Sequence, residues 1–228
     1  MIQENLTGVY RRIEQAAVRC GRDPATVRLV AVSKTVSIDR IAEAVNCGVR
    51  LLGENYIQEA RQKIGAPATD QAAWHFIGHL QSNKARLAVE LFDLIHSVDS
   101  LKLARALDKQ ARQLNTVQSV LVQVNLAGEA SKSGISEQEA PGLIREMSRC
   151  GNLAIRGLMT MPPFFNAPEK VRPYFKALRQ LAGRIAAMTI PGVTMADLSM
   201  GMTGDFEVAV EEGATLVRIG TAIFGERQ

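Results

Sequence analysis

Arg-Leu-Val-Ala-Val-Ser-Lys, residues 28–34, is a short aliphatic run that starts on a charge and ends on a serine and a lysine. It is too short for a helix and lacks the polar alternation of a strand with one wet face, so it fits a parallel strand buried on both sides. Residues 38–46 then return to helical spacing and stop at Cys47-Gly48. The same strand-then-helix unit repeats along the chain. Strands are expected at 50–55, 74–78, 94–98, 119–126, 154–161, 195–200 and 216–221. Helices are expected at 56–64, 83–91, 100–114, 136–150, 167–188 and 205–212, with one more at 5–20 in front of the first strand. Eight strands joined by seven helical linkers imply parallel pairing, because parallel neighbours need crossovers that helices supply. Eight units in 228 residues match the closed (β/α)8 TIM barrel. A doubly wound open sheet stays open as the alternative, since periodicity does not separate the two. No repeat, low-complexity tract or long linker divides the chain, so residues 1–228 are expected to form one domain.

Composition narrows the function. Hydrophobic residues make up 46% and charged residues 22% of the chain, an ordinary globular balance that excludes disorder. The net charge is +4, but the basic residues are scattered among 23 acidic ones and aromatic residues are few. This argues against nucleic-acid binding and is compatible with an anionic small ligand. Cys20, Cys47 and Cys150 are odd in number and form no CxxC pattern, as expected for reduced thiols. The first residues lack a signal-peptide pattern, and no apolar run reaches the ~18 residues that span a bilayer. The expectation is a cytoplasmic protein with no membrane partner.

Ligands of parallel α/β proteins gather beyond the carboxyl ends of the strands. The polar residues expected there are Lys34, Asn55, His79, Asn125, the segment 159–161, Ser199 with the loop behind it, and Gly220-Thr221. Alternation places Lys34 on the face of Val30 and Val32, so it is expected to point into the barrel if they do. A lysine there loses hydration, which favours the free amine that Schiff-base chemistry needs. Taken alone, the simpler account is a lysine snorkelling to the rim. The balance is shifted by residues 199–204, Ser-Met-Gly-Met-Thr-Gly, leading into a helix, and by Arg218-Ile-Gly-Thr221 after the next strand. Hydroxyls, glycines and helix-start N–H groups after strands seven and eight make an anion site. Opposite a strand-one lysine, they favour a phosphorylated carbonyl cofactor, which suggests pyridoxal 5′-phosphate. His75, His96 and His79 show no metal-ligand spacing and are expected to be structural or on the rim. Met159, Met161, Met200 and Met202 suit adaptable packing around a ligand rather than a metal. Lys132 is expected in the loop after strand five, as a solvated lysine.

The segments AVSKTV (31–36), GENYIQEA (53–60), WHFIGHLQSNK (74–84), KSGI (132–135), RGLM (156–159) and LSMGMTGDFEVAVEEGATLVRIGTAIFG (198–225) resemble the YggS/PROSC family of pyridoxal phosphate homeostasis proteins. The resemblance runs in order from about Leu29 to Gly225. It implies a single barrel like the N-terminal domain of alanine racemase, with pyridoxal 5′-phosphate held as a Schiff base on Lys34. It further implies phosphate contacts from Ser199, Met200, Gly201, Thr203, Gly220 and Thr221, an arginine beside the pyridine nitrogen at Arg218, and a cofactor-side polar residue at Asn55. Thr203 stands where many relatives carry serine; the hydroxyl is kept. An arginine at the ring nitrogen would keep it unprotonated and so a poor electron sink. Racemisation would also need acid–base groups on both faces of the substrate carbon. The chain ends soon after its eighth strand, so the racemase's second domain, with its tyrosine, is not expected. Tyr10, Tyr56 and Tyr174 fall in expected helices, with Tyr56 the nearest to a strand end. The expectation is a carrier without robust catalytic activity, not an enzyme, that buffers or delivers pyridoxal phosphate as a monomer, with apo-enzymes as partners and effects on amino-acid and keto-acid balance. The alternatives are an amino-acid racemase or lyase, or a phosphosugar barrel enzyme in which Lys34 meets a sugar phosphate.

Overall fold

The structure is a computed structural model and describes residues 1–129 and 133–226. Eight parallel strands run in sequence order: β1 (Arg28–Val32), β2 (Leu51–Glu54), β3 (Ala73–Phe76), β4 (Leu94–Val98), β5 (Gln118–Val124), β6 (Leu153–Thr160), β7 (Val193–Ser199) and β8 (Leu216–Ile219). They close on themselves as a barrel. The seam lies at β1, where Val30 is opposite Leu51 of β2 on one side and Arg218 of β8 on the other. Closure excludes the open sheet, which would leave two unpaired edges.

Side-chain alternation sorts the strands into two layers. Val30, Leu94, Leu121, Met159 and Leu216 fill the barrel, with Leu51 half-buried beside them. Their strand neighbours Leu29, Ala31, Ile95, Val120, Val122 and Val217 face outward into a larger core shared with the helices. Fully buried side chains such as Phe76, Phe175, Phe206 and Leu107 anchor that outer layer, each stabilising by about 1.5–3 kcal/mol. The same alternation directs His75, His96 and Arg218 into the barrel, all of them buried. Gly157 in β6 has a steric role. A Cβ there would come within 1.8 Å of the Asp197 carbonyl oxygen on β7, and the β6–β7 register shifts at this point.

The linking helices are α2 (Ile38–Asn46), α3 (Ile57–Lys63), α4 (Ala85–Leu91), α5 (Leu101–Gln113), α6 (Ala140–Met147), α7 (Arg172–Ala187) and α8 (Phe206–Glu211). An 18-residue α1 (Ile2–Arg19) precedes β1, and α9 (Thr221–Phe224) follows β8. Helix α1 packs against α8, α9 and α2 through Ile2, Leu6, Val9 and Ile13. Asn5 Nδ2 donates to the Ile223 carbonyl at 2.9 Å, tying α1 to α9.

Most boundaries differ from the sequence expectation by a few residues, and three of the shifts have a local cause. Helix α6 starts at Ala140 rather than 136. Ser136 to Glu139 make a turn instead, with Ser136 Oγ donating to Glu139 Oε2 at 2.5 Å. The long helix expected from 167 is a 3₁₀ turn, Pro168–Val171, followed by α7, whose first turn contains Pro173. Proline fits a first turn but clashes with the carbonyl four residues earlier, so the helix restarts there. Strand β8 stops at Ile219, and Thr221, read from sequence as the strand's end, opens α9.

Candidate functional site

Lys34 stands two residues beyond the end of β1, inside a turn rather than on the strand. The inward direction expected from strand alternation therefore does not apply to it directly. Because β1 and β8 are neighbours, the turn meets the start of α9. Lys34, Val32, Arg40, Gly220 and Thr221 line one cavity of about 220 Å³.

The β7–α8 loop approaches the same place. Thr221 Oγ1 and Thr203 Oγ1 lie 3.2 Å apart, so one hydroxyl from each loop converges. Among the described residues, the N–H groups of Thr203, Gly204, Thr221 and Ala222 donate to no protein acceptor. Unpaired donors of this kind are normal at helix starts and give an anion four backbone dipoles to meet. Asp205 shapes the loop by accepting from Met202 N–H at 2.6 Å. Burial pushes its carboxyl upward, opposed by that hydrogen bond.

The other residues expected on this loop are engaged in packing and in the interior. Met200 is fully buried in the outer core. Gly201 has φ +91°, and a Cβ there would lie 2.5 Å from that of Ala209, so α8 packs directly on it. Its carbonyl accepts from Arg218 N–H at 3.0 Å, joining β8 to the loop. Ser199 is buried inside the barrel, with its hydroxyl bonded there.

That hydroxyl belongs to a polar chain that the sequence spacing did not reveal. Arg218 Nη1 donates to Ser199 Oγ at 2.5 Å, and Nη2 donates to the Thr160 carbonyl at 3.0 Å. Ser199 Oγ lies 2.8 Å from His96 Nδ1, and His96 Nε2 lies 3.0 Å from His75 Nδ1. Arginine only donates, and the serine oxygen can accept twice, so two orderings satisfy every link: the serine hydroxyl donates to His96 and His96 to His75, or the reverse, with the serine accepting from both sides. Burial, and then the charge of Arg28, hold the His75 pKa down to about 4. Burial, then His75, Arg218 and Arg28, hold His96 well below its usual value. Both rings are thus neutral near pH 7. Burial brings the Arg218 pKa down to about 10, which leaves it charged. His75 and His96, expected to be structural or on the rim, are structural: they form the spine of the barrel interior. The usable signal was inward alternation on two adjacent strands.

Asn55 falls in a different cavity, of about 470 Å³, with Tyr56, Phe76, His79 and Lys84. Its Oδ1 is buried and has no partner among the described residues. His79 is exposed, with Nδ1 at 3.1 Å from Ser133 Oγ. Lys132 lies outside the described residues. A second group missed by sequence is Glu54, Glu59 and Lys63, packed under the Lys34 turn. Among the described residues, no cluster of three metal-ligating side chains occurs. None of their helices is long and apolar enough to cross a membrane.

Comparison with known proteins gives a consistent picture. Residues 5–228 match the family described as alanine racemase, N-terminal domain. A relative from Aquifex aeolicus, named pyridoxal phosphate homeostasis protein, is 44% identical over 225 residues, covering 99% of this chain and 98% of its own. PipY of Synechococcus elongatus, solved without PLP, superposes with a TM-score of 0.87 at 37% identity, over 99% of this chain and 100% of PipY. PipY solved with PLP bound gives a TM-score of 0.84 at 36% identity, with the same coverage.

Proposed function

Since the chain belongs to the family of pyridoxal phosphate homeostasis proteins, within the alanine racemase N-terminal-domain fold, we propose that it holds pyridoxal 5′-phosphate on Lys34 and buffers or delivers it. The observation that carries this is the cavity at the β8–β1 seam, which Lys34 lines together with Thr221, whose hydroxyl lies 3.2 Å from that of Thr203. The residues fit the group. Four unpaired N–H donors and the Thr203 and Thr221 hydroxyls suit a phosphate, and Lys34 suits an aldehyde. When bound, the cofactor supplies a carbonyl that condenses with an amine and a ring that withdraws electrons.

The chain's own residues then divide the work. Lys34 provides the amine. Thr203, Gly220 and Thr221 grip the phosphate, with Ser199, Met200 and Gly201 fixing the loop that presents Thr203. Arg218 is assigned to the ring nitrogen: its guanidinium, fixed by Ser199 and Thr160, donates hydrogen bonds but transfers no proton. Asn55, with its buried unpaired oxygen, is assigned to the cofactor's polar surroundings from the β2 side, although it lines the separate cavity there.

The carrier function is supported by what faces the lysine. Tyr10 lies on α1, Tyr174 on α7, and Tyr56 is exposed in the other cavity, so none is placed opposite Lys34 as a second acid–base group. Residues 1–228 act as one cofactor-binding unit. The exposed large apolar side chains, among them Tyr10, Val18, Leu114 and Phe164, are dispersed over several elements, which supports a monomer. Its recipients are apo-enzymes that need the cofactor, in the cytoplasm. The test is colour and turnover. Purified protein mixed with pyridoxal phosphate should gain a visible absorption band that Lys34→Ala lacks, and should racemise alanine at no more than trace rates. An unchanged band in Lys34→Ala removes the site assignment, and robust racemisation removes the carrier function.

A further inference from the structure

We propose that Glu59 and Lys63 are positioning residues for Lys34: together with Glu54 they hold the turn that presents its amine. The proposal rests on the assignment of Lys34 as the cofactor's amine. Residues 33–36 form a turn closed by Val36 N–H donating to the Ser33 carbonyl at 3.0 Å. Thr35, in the third place, has φ +62°. Glycine is the usual residue there, because a β-branched side chain is strained at positive φ. Such strain persists only where the surroundings over-determine it.

They do so here on both sides of Lys34. On one side, Lys63 Nζ donates to the Ser33 carbonyl at 2.7 Å, while the Ser33 hydroxyl donates to Glu54 Oε1 at 2.6 Å. On the other, Thr35 N–H donates to Glu59 Oε1 at 2.5 Å. Lys63 closes the loop by donating to Glu54 Oε1 at 2.8 Å and Glu59 Oε1 at 2.6 Å. All three ammonium protons are thereby used. Lys63 is 6% exposed and Glu54 0% exposed. Burying ions seldom stabilises a fold on balance, because the loss of hydration offsets their attraction. A buried lysine between two carboxylates is better explained by what it grips, the backbone immediately before Lys34.

The test uses full-length protein in four forms beside wild type: Glu59→Met, Glu59→Gln, Lys63→Met, and Glu59→Met combined with Thr35→Gly. Two rates are read with the melting temperature: capture of pyridoxal phosphate by Lys34, trapped with borohydride and mapped by peptide mass, and formaldehyde–borohydride methylation of Lys34 in cofactor-free protein. Glu59→Met should slow capture about tenfold, the scale set by releasing one strained residue. Glu59→Gln, which keeps an oxygen for Thr35 N–H, should stay near wild type. Thr35→Gly should restore most of the rate in the Glu59→Met background, a recovery that a merely structural role would not give. The methylation rate of Lys34 should change in Glu59→Met and return to the wild-type value in the same two forms. Capture by folded Glu59→Met within twofold of wild type, or no recovery with Thr35→Gly, overturns the proposal. If Lys63→Met does not fold, the Glu59 forms decide. If wild type traps nothing on Lys34, the cofactor assignment falls by itself, and the methylation pattern still decides whether the cluster positions the amine.

Discussion

Beneath Lys34 a lysine bridges two glutamates, whereas beneath Arg218 two histidines and a serine are buried neutral. Both groups belong to the same barrel, and both consist largely of polar side chains hidden from water, Glu59 alone being partly exposed. The first binds its charges to one another and to backbone, with Glu54 Oε2 left unpaired among the described residues. The second is a chain of neutral groups hydrogen-bonded to a single cation. The difference teaches that the amine's side is fixed by charge and the arginine's side by tautomer, so the two should respond differently to mutation and oppositely to acid.

The largest expected effect breaks the charged side. Lys63→Met strands the buried Glu54 carboxylate and should lower unfolding free energy by about 3–5 kcal/mol in urea titrations near neutral pH. Acid acts next, on the neutral side. His75 is held at about 4 against an ordinary 6.5. The stability its neutral ring contributes is therefore present above the unfolded value and lost as pH falls toward 4, about 3 kcal/mol in all. His75→Gln should flatten that part of the stability–pH curve. Ser199→Ala removes the hydroxyl between His96 and Arg218 and should cost about 1–2 kcal/mol, with the cofactor's absorption maximum shifting because the guanidinium is less firmly oriented. The smallest effect sharpens the contrast. Burial raises the Glu54 carboxyl while Lys63 and Ser33 lower it. A carboxyl raised in the folded state is stabilised by protonation, so stability falls as pH rises through its window. Lys63→Met should therefore recover part of its loss on acidification from neutral pH. If it weakens as steeply as wild type, Glu54 does not carry the charge assigned to it.

The fold was legible because parallel strands buried on both faces leave short apolar runs, and helical crossovers leave a different period between them. All eight strands lie within a few residues of their expected places. Boundaries shifted where a proline or a glycine turn overrode periodicity, as at Pro173 and Gly220. On the site, Lys34, Gly220 and Thr221 could be named from strand ends, and the structure brings them to one cavity. The turn that presents Lys34 could not be read, because its supports come from β2 and α3. Glu59 and Lys63 look in sequence like any i, i+4 pair on a wet helix face. The histidine chain was hidden for a similar reason. His75 and His96 are 21 positions apart, and the pairing of β3 with β4 makes them neighbours.

The central claim is that Lys34 is the amine that meets the cofactor, and peptide mapping after reduction tests it most directly. Pyridoxal phosphate is added, borohydride fixes whatever bond has formed, and trypsin is applied. A modified Lys34 resists cleavage, so the account predicts the label on the uncut peptide from Leu29 to Arg40. Label on a peptide carrying Lys63, Lys84 or Lys132, with residues 29–34 released unmodified, would contradict it.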